Sequence, residues 1–415
     1  MQSEMRKQKY LTLDKHDNQE WRKNMDNFIY HAPTEMIFGR NVETQIGQTA
    51  SKFGHKALLV FGKGSVVKSG LLSRLEQSLT ESAVAYEEFG GAQPNPTLEH
   101  AEDGVKKALG FGADMIIGVG GGSAIDTAKA IAHGTANSDQ ALWDLWTKKV
   151  PLNQSLPVGA VLTIPAAGSE MSDSAVLTNT AIGKKAGINT PLNRCKFAII
   201  NPEWGATLPA YQVAAGVTDI MMHTMERYFI PDTRCDLTDE IAEGLLRTVI
   251  KNGTVAVKNP ADYNAMAEVF WASSLSHNNL TECGRGKDFS VHKLGHALSA
   301  RYGVTHGASL SAVWGAWANE LYLDCVPRFA QFARRVWNVS AEDDKSAARE
   351  GIDCTVSFFQ SIGMPVSLTE LNVGICETDL RELSLDATMN DTLRLSRIRP
   401  LDATAVEAIY KRALA

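Results

Sequence analysis

Cysteine is scarce and unpatterned: Cys195, Cys235, Cys283, Cys325, Cys354 and Cys376 are scattered, with no C-x-x-C pair. In a chain of 415 residues that excludes a disulfide framework and reads as reduced thiols in a cytoplasmic protein. No apolar run reaches the ~18 residues of a membrane span. The nearest, residues 308–323, is broken by Ser309, Ser311, Asn319 and Glu320. The N-terminus is polar and lacks an apolar signal core. Positive charge is not in excess: 41 Lys and Arg against 47 Asp and Glu leave −6, which argues against nucleic acid or an anionic membrane as partner. With 44% hydrophobic and 21% charged residues, disorder as the main state is excluded. Internal repeats and low-complexity tracts are missing as well.

The length allows two or three domains. Residues 1–24 are polar and aperiodic; they read as a flexible extension, with an extra packed helix as the alternative. From Lys56 to Pro202 strands and helices alternate. KALLVFG, AVAYEEF, DMIIGVGGGS, AVLTIP and KFAII read as strands. Val67, Leu71, Leu75 and Leu79, four apart, predict one helical face, and Ala124 to His133 reads as helix. Such alternation predicts a parallel sheet covered by helices. From Tyr211 onward strand signals fade and helical periodicity takes over. We therefore expect an α/β domain over 25–205 and an all-helical domain over 206–415, with the boundary near 203–210.

Two glycine-rich turns follow strands, Phe61-Gly62-Lys63-Gly64-Ser65 and Gly118-Val119-Gly120-Gly121-Gly122-Ser123. Neither fits G-x-G-x-x-G or the Walker pattern. The physics of an anion site remains in the second: three glycines let a pyrophosphate approach the backbone. Ser123 is placed to cap the next helix, with Asp126 three residues on, and the helix start offers free N–H groups. A tight strand-to-helix turn with no ligand explains the same residues.

The histidines are unevenly spread. His292 and His296 are four apart in SVHKLGHALSA, and His306 follows the Tyr302-Gly303 turn. In GVTDIMMHTMERYF, Asp219 and His223 are four apart, with Glu226 a further turn along. A lone histidine on an apolar helix is ordinarily a satisfied core residue. Two such pairs and a fifth candidate let two helices present one carboxylate and two or three imidazoles to a point. That donor set suits Zn(II) or Fe(II), and its lack of thiolates argues against a structural zinc site.

In combination, GGAQPNP, GVGGGSAID, TIPAAGSEMS, GVTDIMMHTMERY and VHKLGHALSARYGVTHG resemble the iron-containing, or metal-dependent, alcohol dehydrogenase family, from about Met25 to the C-terminus. FGKGSVVKSG and LTIPAAGSE look most like its NADPH-dependent butanol dehydrogenase and aldehyde reductase branch. The resemblance implies a nucleotide-binding α/β domain, a helical domain and a site between them. It implies Asp219, His223, His292 and His306 as metal ligands, and His296 as a histidine near the nicotinamide that is not a ligand. It places Gly121, Gly122, Ser123 and Asp126 at the pyrophosphate, and Thr163 and Ser172 beside the cofactor. Asn95 falls on the adenosine side and Lys185 near the nicotinamide ribose, with Lys184 leaving that register open. NAD-preferring members carry an aspartate where this chain has Gly62; with Gly64 and Ser65 as donors, NADP(H) is the expected cofactor. The expected activity is hydride transfer between NADP(H) and small alcohols or aldehydes, by a homodimer. Two other readings share the fold: a dehydroquinate synthase-like lyase, which needs a pocket rich in Lys and Arg (Arg285, Lys287, Lys293 and Arg301 are candidates), and a non-catalytic metal-binding relative.

Overall fold

A computed structural model describes residues 24–231 and 233–414. Apart from Asn24, the segment expected to be a flexible extension lies outside them.

Among the described residues there are eight strands: β1 (Glu35–Phe38), β2 (Lys56–Phe61), β3 (Ala85–Phe89), β4 (Met115–Gly120), β5 (Val158–Leu162), β6 (Ser174–Asn179), β7 (Lys184–Asn189) and β8 (Phe197–Ile200). Six form a sheet in the order β1-β8-β5-β4-β2-β3, every neighbouring pair parallel. β6 and β7 form a separate antiparallel hairpin. The helices of this half are α1 (Ile46–Ala50), α2 (Ser65–Lys68), α3 (Leu71–Glu81), α4 (Leu98–Phe111), α5 (Gly122–Ala136) and α6 (Leu142–Trp146). The rest of the described chain is helical: α7 (Ala210–Tyr228), α8 (Asp236–Lys258), α9 (Tyr263–Ser276), α10 (Ser290–Tyr302), α11 (His306–Leu321), α12 (Val326–Trp337), α13 (Asp344–Ser361), α14 (Leu380–Ala387) and α15 (Ala403–Leu414). No described helix is long and apolar enough to cross a membrane.

Both faces of the sheet are covered, so its central strands are apolar throughout. On β2, Leu58 and Val60 join a core shared with the helical half, while Ala57, Leu59 and Phe61 point to a second core under α3. Two local expectations fail. The Val67-to-Leu79 face is not one helix: Gly70, at φ +78°, separates α2 from α3, and Val67 is 50% exposed. Nor does Ser123 cap α5. The N-cap is Gly121, with no side-chain bond, and Asp126 instead accepts from Ser169 Oγ and from the Val176 amide at 2.9 Å. The carboxylate is drawn across to the hairpin, whose edge amide it satisfies.

The helices meet the sheet by close approach. A Cβ on Gly216 of α7 would stand 2.1 Å from the Pro165 carbonyl, so α7 is pressed onto the loop after β5. Within the helical half, charge fixes the frame. Asp239 on α8 accepts from Arg328 of α12 (2.5 and 2.6 Å), from Gln331 (3.0 Å) and from Arg285 in the segment before α10. Arg328 also bonds the Tyr228 carbonyl at the end of α7 at 2.6 Å. Tyr410 of α15 donates to the Leu294 carbonyl of α10 at 2.8 Å.

Burial alone would raise the Asp239 pKa. Hydrogen bonds and charge from Arg328, with the charge of Arg285, outweigh it and hold the group at about 2. Its contribution is therefore complete above its unfolded pKa near 3.8 and is lost as pH falls through about 2. Asp239→Asn leaves two buried guanidiniums without their counter-charge and is expected to cost about 3 kcal/mol at pH 7. In denaturant titrations the gap to wild type should narrow below pH 4.

Candidate metal centre and cofactor cleft

The parallel sheet changes direction of winding between β2 and β4, and ligands of such sheets bind beyond the strand C-termini at that point. Gly62 follows β2 there, and Gly120 to Gly122 end β4 and start α5. Gly118 is required by packing, since its Cβ would lie 2.8 Å from Ile125 Cα. A cleft of about 1040 Å³ opens from this edge toward the helices. The α/β half lines it with Asn95, Gly122, Ser123, Asp126, Ser172 and Lys185. The helical half supplies Asp219, His223, His292, His296 and His306. Gly62, Gly64, Ser65, Gly121 and Thr163 are not in its lining. Gly62 sits at the neighbouring strand end, its carbonyl accepting from Gly91 at 3.1 Å, and the Thr163 amide bonds the Gly120 carbonyl at 3.0 Å. Gly64, at φ +116°, precedes the single turn begun by Ser65.

Both Lys184 and Lys185 line the cleft, and it is Lys185 whose Nζ donates to Asn95 Oδ1 at 2.8 Å, linking hairpin and GGAQPNP loop. Burial pulls its pKa down to about 8, against the opposing charges of Asp126 and Asp219. Asp126 titrates higher than usual because of burial, though Lys129, 3.7 Å away, opposes this.

Deeper in, α7, α10 and α11 converge. Sixteen consecutive residues of α7, Val213 to Tyr228, are buried, so its charged groups cannot be met by water. Asp219 Oδ1 stands 3.4 Å from His223 Nδ1, 3.5 Å from His292 Nε2 and 3.7 Å from His306 Nε2. Asp219 Oδ1, His223 Nδ1 and His292 Nε2 are buried without a hydrogen-bond partner among the described residues. The spacings are long for hydrogen bonds. They match the ~3.4 Å edge of a tetrahedron whose corners lie about 2.1 Å from a central ion. The residues thus fit a divalent metal, with Asp219, His292 and His306 offering atoms within 4.8 Å of one another. His223 stands beside this trio, its ring centre 4.0 Å from that of His277 with the planes tilted by 53°.

The imidazoles are tuned by their surroundings. Burial drives His306 down to about 3, although Asp219 opposes it. Burial, with the charges of His277 and His292, keeps His223 well below its ordinary value. A neutral imidazole is the form that binds metal. Burial works against a charge on His292 too, but Glu226 and Asp219 outweigh it and push its pKa up to about 9. His296 is held well below the ordinary value by burial, then by Lys185 and His306. Its ring is 5.1 Å from that of His306.

Glu226 has a role that spacing alone did not assign. It is buried, bonds the ring Nδ1 of His292 and accepts from the His292 amide at 3.1 Å. This leaves Nε2 as the nitrogen facing Asp219 and fixes the ring plane. Its i+3 offset from His223 was the only trace in the sequence. Phe289 and His277 left no trace there. Phe289 is the N-cap of α10 at φ +60°, with its ring 5.0 Å from that of His292.

Bound metal should report these roles separately. Replacing His292 or His306 with Ala should abolish stable retention, and Glu226→Gln should weaken affinity roughly 10- to 100-fold. His296→Ala should retain the ion with a reduced rate. Metal analysis after gel filtration, beside aldehyde-reduction rates, checks all four; full metal with normal turnover in His292→Ala and His306→Ala would refute the assignment.

The pattern of the family described as iron-containing alcohol dehydrogenase matches residues 33–202, and that of the Fe-containing alcohol dehydrogenase family C-terminal part matches residues 213–414. NADH-dependent butanol dehydrogenase A of Clostridium acetobutylicum is 35% identical over 390 residues, covering 94% of this chain and 100% of the relative. NADPH-dependent aldehyde reductase YqhD of Escherichia coli is 35% identical over 352 residues, 83% of this chain and 89% of the relative. The crystal structure of NADH-dependent butanol dehydrogenase A from Thermotoga maritima superposes with a TM-score of 0.90 at 32% identity, over 94% of this chain and 99% of that one. The chain belongs to the iron-containing alcohol dehydrogenase family and is an oxidoreductase acting between alcohols and aldehydes.

Proposed function

We propose that the protein is a metal-dependent, NADP(H)-linked reductase of small aldehydes, working equally as a dehydrogenase of the corresponding primary alcohols. The observation that carries this reading is the unpartnered Asp219–His292–His306 trio at ligand spacing, opening onto the same cleft as Gly122, Ser123 and Lys185. In the reducing direction an aldehyde, NADPH and a proton give a primary alcohol and NADP⁺. A divalent ion, iron or zinc, supplies Lewis-acid polarisation of the carbonyl, and the nicotinamide supplies hydride. Asp219, His223, His292 and His306 hold that ion. Gly121, Gly122 and the start of α5 receive the pyrophosphate, and Ser123, Asp126, Thr163 and Ser172 frame the cofactor beyond it. Lys185, fixed by Asn95, orients the ribose near the nicotinamide. His296 is the relay that returns a proton to the product oxygen.

The lyase alternative loses support from the same geometry. Of its four candidate cations, Arg285 is spent on Asp239 and Arg301 pairs with Glu382 at 2.6 Å. Lys287 pairs with Glu282 at 3.3 Å.

Cofactor choice turns on Gly62. A Cβ there would meet only the Ala92 carbonyl, at 3.6 Å, so the position tolerates a side chain and glycine is not imposed by packing. Its absence of charge admits a 2′-phosphate. An aspartate would face that phosphate with a repulsion of roughly 1–4 kcal/mol at ~4 Å, or about 5- to 1,000-fold. Catalytic efficiency with NADPH and NADH, for wild type and Gly62→Asp, tests the assignment. Wild type should favour NADPH and the variant should reverse or erase that preference; an unchanged ratio refutes it.

Assembly as a homodimer is part of the proposal. Phe28, Ile29 and Tyr30 are 52, 96 and 42% exposed, and the next strand, β1, is an edge of the sheet. An exposed apolar run and an open strand edge each invite a second copy. Light scattering should give twice the mass of one chain, and Ile29→Glu should shift the protein toward the monomer.

A further inference from the structure

One imidazole of the cleft belongs to neither the ligand set nor the cofactor face. His277 closes the C-terminal end of α9, is 8% exposed and lines the cleft. Its Nδ1 is buried without a partner, and its ring makes no hydrogen bond among the described residues. A neutral imidazole carries one donor and one acceptor, and such groups are nearly always paired when enclosed. The side chain has little freedom to turn away and find a partner. Gly168, at φ +61°, presses on it so closely that a Cβ there would be 3.0 Å from His277 Cβ. On the other side its ring packs against that of His223 at 4.0 Å, tilted by 53°, and reaches Phe289 at 5.9 Å.

This placement fits a ligand oxygen. His277 lines the same cleft as Asp219, His292 and His306, with its ring centre 4.0 Å from that of His223. It is not itself within the mutual reach of Asp219, His292 and His306. Phe289 supplies the adjoining apolar wall, with Lys287 Nζ 5.6 Å from its ring centre.

Building on the aldehyde reductase reading, we propose that His277 is a substrate-binding residue that hydrogen-bonds an oxygen on the carbon next to the reacting carbonyl. The enzyme then selects short 2-hydroxyaldehydes over the unsubstituted aldehydes of the same length. A site built around a polar group discriminates against an analogue that leaves it unpaired.

The test compares 2-hydroxybutanal with butanal as kcat/KM in the metal-loaded wild type, His277→Leu and His277→Gln, with bound metal and melting temperature measured for each. Wild type should prefer the hydroxyaldehyde about 10-fold or more. His277→Leu should bring the ratio near one while butanal turnover and metal content hold, and His277→Gln, which keeps a donor and an acceptor, should recover part of it. A ratio unmoved by either substitution overturns the subsite. Loss of metal from both variants overturns it too, by making His277 a ligand. If His277→Leu does not fold, His277→Phe, which keeps ring bulk without a donor or acceptor, takes its place: a ratio near one supports the hydrogen bond, and a wild-type ratio refutes it. Reduction of butanal with no preference in wild type sinks the subsite alone, whereas reduction of neither aldehyde sinks the functional reading and the subsite with it.

Discussion

A single carboxylate oxygen, Asp219 Oδ1, stands 3.4 to 3.7 Å from three imidazole nitrogens on two further helices and its own. Buried along with the whole stretch of α7 from Val213 to Tyr228, it cannot be stable as an isolated charge, and the distances are those of ligands around an ion. Much of the helical half serves to bring α7, α10 and α11 to that point and hold them there. Arg328 and Arg285, joined through Asp239, tie the end of α7 to α8, α12 and the segment leading into α10. Arg227 extends the frame: it bonds the His223 carbonyl at 2.7 Å and Glu282 at 2.9 Å. Glu226 then sets the tautomer and plane of His292 from one turn further along the same helix.

The sheet half contributes a different kind of order. Its switch point exposes free backbone at the ends of β2 and β4, while the loop after β5 and the β6–β7 hairpin fold over toward the helices. Asp126 and Lys129 show how that cover is fixed. The carboxylate ties α5 to the β6 amide and to Ser169, and the fully buried ammonium bonds the Ser169 and Ser174 carbonyls at 2.7 and 2.8 Å. The same loop meets the helical half through Glu170 and Ser274, 2.6 Å apart. The strand-end face and the Asp219 cluster are thereby two walls of one cleft, as hydride transfer would demand of groups that must be held close and aligned.

Periodicity was a good guide where one element carried its own pattern. The buried β2, β4 and β5 read as apolar runs, and the i,i+4 spacing of Asp219 with His223 and of His292 with His296 placed each pair on a helix face. It failed where short elements depend on neighbours. The four-residue β1 pairs with β8, 162 residues further along the chain, and β6–β7 is a half-exposed hairpin with Lys and Gly in its second strand. The four-residue spacing across Gly70 looked like a helix because leucine spacing says nothing of a residue at positive φ.

Residue type and spacing thus specified the candidate donors, the glycine turns and the division into a sheet half and a helical half, because helix and strand periods are local properties of the chain. Convergence of three helices on one oxygen, the diversion of Asp126 from capping to the hairpin, the pairing of Glu226 with His292 and the arrival of His277 beside His223 are long-range events. They depend on packing angles and on which buried polar group lacks a partner, and neither is encoded within any one segment.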